Sequence, residues 1–175
     1  MPGYRAKPAQ RIVDEIRLHV EKNRINTFFV ADNLLNGDLE QLNEICDLII
    51  KRNLKVKWAG SIIPRKDMDC NFFKKMYKAG CYKLQIGLES GSDAVLKNMK
   101  KIYTSEISEE TIKEANRAGI ETEIFIMIGF PGENEKEFKK TREFIKKNTR
   151  YINTLKSINT LHLIAGTDIY DNYGK

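Results

Sequence analysis

The sequence predicts an α/β fold with a sheet of about five parallel strands. Short apolar, β-rich runs begin near positions 27, 56, 83, 123 and 157. A segment with the apolar periodicity of a helix separates each run from the next. Strands that alternate with helices in this way are parallel and are joined by right-handed crossovers. The pattern leaves open whether the sheet is doubly wound or an open barrel.

The first half of the chain predicts three helices and two strands. Pro8 stands at the start of the first helix, where a proline is tolerated. Asp38, three residues before Gln41, resembles a capping box that opens the second helix, and Gly80 follows the third. In order, the elements are a helix over 8–23, a strand over 27–31, a helix over 38–53, a strand over 56–61 and a helix over 69–79.

The second half contains two matched units. In each, a helix stops at Ala-Gly, a strand follows, and the strand ends in a glycine-containing loop before the next helix. Asn134, three residues before Glu137, is predicted to cap the last of these helices. The elements are a strand over 83–88, a short helix from 92, a loop over 100–104, a helix over 108–118, a strand over 123–128, a helix over 134–148 and a strand over 157–164.

Composition indicates one globular domain over residues 1–175. No apolar run approaches the roughly 20 residues of a membrane span, and no secretory signal is visible, so we expect a cytoplasmic protein without a membrane partner. The net charge is +6, but the lysines lie mostly on polar helix faces, which does not predict specific nucleic-acid binding. The chain has three cysteines, an odd number with no metal-binding spacing.

Polar or glycine residues follow four of the predicted strands. They are Asp32 and Asn33, then Glu89 with Ser90, then Gly129 to Pro131, then Gly166 and Thr167. Two glycines around Phe130-Pro131 could form a structural turn, or could let a flat ligand lie against bare backbone. Lys101 follows Glu89 after a short helix and could fold back to the same strand end. Because active sites of α/β folds lie at the carboxyl ends of their strands, the sequence predicts a small-molecule site there.

Five ordered motifs resemble the radical S-adenosylmethionine (SAM) enzymes. The resemblance is greatest to the branch whose members often carry a cobalamin-binding domain, such as anaerobic Mg-protoporphyrin ester cyclase-like proteins and radical methyltransferases. It implies a partial (β/α)6 TIM-like barrel with outer helices and its first strand missing. The motifs are the segments 4–16, 28–33, 87–101, 128–133 and 166–170.

The resemblance assigns cofactor roles to individual residues. Asp32 and Asn33 would face the amino group of SAM. Glu89, next to Ser90, would contact the ribose or methionyl part, and Lys101 would pair with the SAM carboxylate. The backbone from Gly129 through Phe130 to Pro131 would lie along the adenine, with Ile128 packed on it. In the family, an iron–sulfur cluster reduces SAM to a 5′-deoxyadenosyl radical that abstracts hydrogen from a substrate.

The family's first strand and its Cys-x-x-x-Cys-x-x-Cys loop have no counterpart in this sequence. We therefore expect an N-terminally truncated radical SAM core that binds no [4Fe–4S] cluster and is inactive alone; the cluster would belong to the full-length parent, and cobalamin to a further domain. The strand at Thr27 to Ala31 would then have a bare edge, which predicts self-association.

Two other functions remain open from the sequence. One is a non-catalytic binding or assembly domain that keeps the barrel. The other is a phosphate-binding (β/α) barrel enzyme, for which Gly166-Thr167 is a poor match to the expected phosphate loop. The substrate cannot be read from these motifs.

Overall fold

The computed structural model describes residues 7–32 and 34–173, in which five strands form one parallel sheet in the order β1-β2-β3-β4-β5. The strands are β1 (Thr27–Val30), β2 (Lys57–Ile62), β3 (Cys81–Glu89), β4 (Glu121–Ile128) and β5 (Thr154–Thr160). The α-helices are α1 (Ala9–Asn23), α2 (Leu39–Lys51), α3 (Cys70–Lys78), α4 (Asp93–Asn98), α5 (Ser105–Arg117), α6 (Glu135–Asn148) and α7 (Asp168–Tyr173).

The strand order settles the choice between the two arrangements. Each strand pairs with its neighbour in sequence, and the order never reverses. A doubly wound sheet needs such a reversal, whereas successive right-handed crossovers in one direction place the helices on one face, as in a barrel. The expected α/β fold with about five parallel strands and outer helices is confirmed.

Most element boundaries agree with the sequence pattern. The side chains of Asp38 and Asn134 accept hydrogen bonds from the backbone N–H groups of Gln41 and Glu137, as the capping patterns predict. Pro8 is the N-cap residue of α1, one position before the first helical turn. Helix α5 begins at Ser105 instead of 108 because the Thr104 hydroxyl caps it.

The predicted position of the fifth strand was wrong by three residues at its start. Strand β5 runs from Thr154 to Thr160 because Asn153, the residue before it, is hydrogen-bonded to the start of β4. The Asn153 backbone N–H donates to the Thr122 carbonyl at 3.1 Å, and the Asn153 side chain accepts from the Thr122 N–H at 2.9 Å. This anchor sets the register, and residues 161–164 lie beyond the strand.

The core lies between the sheet and the helices. Leu84, Ile86 and Leu88 of β3 are fully buried and belong to the main apolar cluster. Because side chains alternate along a strand, the residues between them point to the opposite, concave face. That alternation places Gln85 and Glu89 on the concave side, where a barrel encloses its site.

Glu123 is the centre of a polar network on the concave face. Its carboxylate lies 3.2 Å from the Lys83 ammonium and 3.5 Å from that of Lys156, and it accepts a hydrogen bond from Gln85 at 3.2 Å. Burial by itself raises the pKa of Glu123, but the hydrogen bonds from Lys83 and Gln85 and the charges of Lys83 and Lys156 outweigh it, so the pKa is lowered. The network connects β3, β4 and β5.

This lowered pKa predicts a pH-dependent contribution to stability. A carboxyl whose pKa is lower in the folded state stabilises the protein above its unfolded-state value, 4.5, and this contribution is lost as the pH falls through the folded-state value. Glu123→Gln should cost about 1–2 kcal/mol at neutral pH, with a smaller cost below pH 4.5. Urea unfolding across pH measures this. Glu121→Gln, at a position with 56% side-chain exposure, is the control, and equal pH profiles for both variants would contradict the prediction.

Strand β1 is an edge of the described sheet. It pairs only with β2 among the described residues, and Phe29 is 56% exposed. Ala31 lies just past the end of β1 and is exposed. Self-association through this edge stays a prediction. Within the described residues, no helix combines the length and the apolar character needed to cross a membrane.

Candidate functional site

The strand ends gather most of the predicted site residues at one edge of the sheet. Since the strands are parallel, their carboxyl ends point the same way. Asp32 follows β1, Glu89 is the last residue of β3, and Gly129 follows β4 directly. Neighbouring strands lie about 4.8 Å apart, so these residues on β1, β3 and β4 span about 14 Å of this edge, which we call the rim.

Glu89 and Lys101 form an ion pair at this rim. The Lys101 ammonium donates to the Glu89 carboxylate at 3.1 Å, with side-chain exposures of 29% and 21%. Helix α4 ends at Asn98, and Lys100 adopts a left-handed conformation with φ of 57°. That turn reverses the chain, and the Lys101 N–H then bonds back to the Leu96 carbonyl. The fold-back expected from the sequence is present.

The backbone of Glu89 is held in an unusual conformation. Its φ is 63°, and the pairing of β3 with β4 shifts register between Gly87 and Glu89. The register shift forms a β-bulge. Tyr103 stabilises this bulge because its hydroxyl donates to the Gly87 carbonyl at 2.7 Å. Burial, and then the nearby charge of Glu89, raise the pKa of Tyr103, which keeps the hydroxyl protonated as a donor. A strained residue held in place in this way is typical of functional sites.

The turn after β4 presents open backbone. Gly129 has φ of 78°, and a Cβ atom built there would have no atom of the described residues within 4 Å. Glu133 closes the turn by accepting the Gly129 N–H at 2.6 Å with Oε2. The other oxygen, Oε1, is buried and has no hydrogen-bond partner among the described residues. The turn therefore offers open space beside a buried acceptor.

The chemistry of these groups is compatible with SAM, the cofactor that the sequence resemblance implies. A flat base can approach Gly129 because no side chain of residues 7–32 and 34–173 occupies that space. A carboxylate oxygen such as Glu133 Oε1 can accept from an amine, and the Glu89–Lys101 pair can bind an amino acid's charges. Pro131 is half-buried beside the turn, and its carbonyl accepts from the Asn98 side chain at 3.3 Å.

Other predicted site residues lie away from the open rim. Ser90 is fully buried, and its hydroxyl bonds to that of Thr141 on α6 at 3.1 Å. Phe130 is buried, and Ile128 packs against the core, so their predicted cofactor contacts stay predictions. Asn33 lies outside the described residues.

Asp32 is exposed at the end of β1. Its carboxylate accepts the Leu34 N–H at 3.3 Å, a local turn that leaves the second oxygen available. Besides Glu133 at the Gly129 turn, the described site therefore has the carboxylates of Asp32 and Glu89 and the ammonium of Lys101, groups of the kind that bind a zwitterionic amino acid.

Comparisons with known proteins identify the family. The model of the Radical SAM superfamily matches residues 1–145. The chain belongs to the radical SAM superfamily.

Two curated proteins have sequences similar to this chain. The anaerobic magnesium-protoporphyrin IX monomethyl ester cyclase of Rubrivivax gelatinosus is 26% identical over 139 residues, which is 79% of this chain and 25% of that protein. The threonylcarbamoyladenosine tRNA methylthiotransferase MtaB of Bacillus subtilis is 39% identical over 67 residues, 37% of this chain and 15% of that protein. The chain thus spans a quarter or less of each.

The fold agrees with a solved radical SAM structure. The radical SAM methyltransferase TsrM from Kitasatospora setae, solved with cobalamin and a [4Fe–4S] cluster, superposes with a TM-score of 0.72 at 18% identity. The match covers 79% of this chain and 27% of TsrM. This likeness supports the barrel-type fold and, at that identity, carries no residue roles.

The cysteines of this radical SAM chain do not fit an iron–sulfur cluster. Burial raises the pKa of Cys46 to about 12 and that of Cys81 well above its usual value, which opposes the thiolate form that binds iron. Cys70 is free and half-buried at the start of α3. Within residues 7–32 and 34–173, no group of His, Cys, Asp and Glu could hold a metal ion.

The structure also identifies residues that the sequence pattern did not assign to the site. Glu133 accepts a hydrogen bond that closes the turn at Gly129. Tyr103 donates to the Gly87 carbonyl and so stabilises the bulge at Glu89. Met127 is half-buried on the concave face next to the Gly129 turn. Strand alternation in β4 could have indicated Met127. No local pattern predicts the role of Tyr103, because its partner Gly87 lies 16 residues earlier, before helix α4.

Proposed function

We propose that this chain provides the SAM-binding rim of a radical SAM enzyme. The main observation that supports the proposal is the Glu89–Lys101 ion pair beside the open Gly129 turn. Lys101 would bind the carboxylate of the methionyl group, while Glu89 and Asp32 would accept from its amino group. The adenine would lie along the backbone from Gly129 to Pro131 and donate to Glu133 Oε1.

In this superfamily, SAM supplies a carbon-centred radical for hydrogen abstraction from a substrate. The residues described above bind and orient the cofactor, and the buried Tyr103 holds the strand end that carries Glu89. We propose that the reducing [4Fe–4S] cluster is bound by cysteines other than Cys46, Cys70 and Cys81. Cobalamin in a further domain of a cytoplasmic parent enzyme belongs to the same proposal, as does an unidentified small-molecule substrate.

A second function is favoured by the cysteine environment. If no cluster is bound, the same rim could act in a non-catalytic domain that binds SAM or assembles with other proteins. Anaerobic reconstitution with iron and sulfide separates the two, since a stoichiometric cluster on this chain, seen by visible and EPR spectra, would overturn the assignment of its cysteines as non-ligands.

Calorimetric titration tests the SAM rim directly. SAM should bind to the chain, and 5′-methylthioadenosine, which lacks the aminocarboxypropyl group, should bind at least about tenfold more weakly because it cannot use the Glu89–Lys101 pair. Binding of both ligands with equal affinity would show that the ion pair does not recognise the methionyl group. Absence of SAM binding would contradict the proposed function altogether.

A further inference from the structure

The opposite end of the sheet carries a basic surface that the SAM rim does not use. Helices α1, α2 and α3 end there, and β1, β2 and β3 begin there. Between these elements lies an open cleft of about 610 Å³ lined by Lys55, Lys57 and Lys78, and none of its lining residues is acidic. We call it the basic cleft.

The lysines of the basic cleft have no counter-ions among the described residues. All three are exposed, and none forms an ion pair within that part of the chain. Elsewhere on the surface, lysines do pair, as Lys75 does with Asp47 at 2.9 Å. Further cations that form no ion pair within residues 7–32 and 34–173 stand at the ends of α1 and α2 beside the cleft. They are Lys22, Arg24 and Lys51.

The partial negative charges of the helix ends offset only part of the positive charge around the basic cleft. The carboxyl end of a helix carries the equivalent of about −0.5 charge, so three helices contribute roughly −1.5. The cations around the basic cleft exceed that amount by several charges. Because like charges repel, an uncompensated cluster is costly unless a negatively charged partner binds.

The remaining lining of the cleft suits a nucleic acid. Asn26 and Asn53 supply exposed amide groups between the lysines. Tyr77 precedes Lys78 in sequence and lies outside the lining of the cleft; it is 53% exposed, and its ring lies about 3.1–3.5 Å from the Cβ position of Gly119, so one ring face rests on backbone before the start of β4. Lysines bind phosphates, amides bind base edges and sugars, and an exposed aromatic ring stacks on bases.

We propose that the basic cleft binds the backbone of single-stranded RNA without sequence specificity. The lysines come from two segments, since Lys55 and Lys57 belong to the connection from α2 into β2 and Lys78 is the last residue of α3. An acidic protein would pair with the lysines but has no bases to stack on the exposed Tyr77 ring near the cleft. The inference is independent of SAM binding, because the cleft and the rim lie at opposite ends of the strands.

Fluorescence anisotropy with a labelled single-stranded RNA of mixed sequence tests this inference. The triple variant Lys55→Glu, Lys57→Glu, Lys78→Glu should bind at least about tenfold more weakly. The slope of log K against log[salt] should also become shallower by about 2, since each phosphate that a lysine neutralises contributes about 0.7 to it. The matched control replaces Lys66, Lys97 and Lys136 by Glu, since these exposed lysines lie at the carboxyl end of the strands.

Three outcomes overturn the inference: no RNA binding by the wild type, equal weakening of binding in both triple variants, or equal competition by poly-glutamate and unlabelled RNA at matched charge. The last would indicate a surface for acidic proteins. Circular dichroism and SAM titration of each variant check that the fold and the rim are unchanged. Failure of SAM binding in the wild type would leave the RNA result standing, so the two proposals are separable.

Discussion

Lys101→Met should weaken SAM binding by about 10–150-fold while leaving 5′-methylthioadenosine binding unchanged. The Lys101 ammonium lies 3.1 Å from Glu89 at the rim and is the cation placed to meet a carboxylate there. A hydrogen bond to a charged group contributes about 1.5–3 kcal/mol, and about 1.4 kcal/mol corresponds to a factor of ten in affinity. Methionine keeps the length and apolar stem of the side chain, so the change isolates the ammonium. Calorimetric titration of both ligands measures the effect.

Lys100→Met is the matched control for this experiment. Lys100 is adjacent in sequence, but its side chain is 81% exposed and pairs with Asp168 on α7. We expect SAM affinity to change by less than about twofold, because exposed ion pairs contribute little. If Lys101→Met bound SAM as tightly as the wild type, or weakened the binding of both ligands equally, Lys101 would not be the carboxylate-binding residue.

Gly80→Ala should destabilise the protein by about 2–5 kcal/mol. Gly80 has φ of 95°, and a Cβ atom there would lie 2.1 Å from the carbonyl oxygen of Val56. The oxygen belongs to backbone beside the start of β2, and the Gly80 carbonyl accepts the Trp58 N–H at 2.9 Å. The left-handed conformation costs a non-glycine residue about 1–2 kcal/mol, and overpacking adds about 1–3 kcal/mol. Chemical denaturation gives the free energy of unfolding.

Gly129→Ala separates the two costs. Gly129 also has a positive φ, 78°, but its Cβ would contact no atom within 4 Å in the part of the chain that the structure describes. Without ligand, this variant should lose only the conformational part, about 1–2 kcal/mol. Equal destabilisation of the two variants would show that the clash with Val56 has no effect and that backbone conformation accounts for the whole change.

Local sequence signals predicted many of the elements correctly. Asp38 and Asn134 cap their helices because a side-chain oxygen needs only the next turn of its own helix as partner. The return of Lys101 to Glu89 was also predictable, since a short helix between them limits where the chain can go. Such interactions are decided within a few residues.

Interactions between distant segments were not predictable in the same way. Strand β5 begins at Thr154 because Asn153 is fastened to Thr122, thirty-one residues away. The burial of Ser90, whose hydroxyl bonds to that of Thr141 on α6 at 3.1 Å, was likewise not predicted, and its contact with the cofactor stays a prediction. A polar residue after a strand can bind a ligand or a neighbouring helix, and sequence spacing does not distinguish the two.

The sequence by itself determined the alternation of strands and helices, the glycines and carboxylates at the strand ends, and the resemblance to the radical SAM superfamily. These depend on periodicity and on residue types within short segments. Only the tertiary structure decided that the sheet is singly wound, that Glu133 and Tyr103 support the rim, and that Lys55, Lys57 and Lys78 share one cleft. The physical reason is that strand pairing and helix packing choose which distant side chains meet, and no local pattern records that choice.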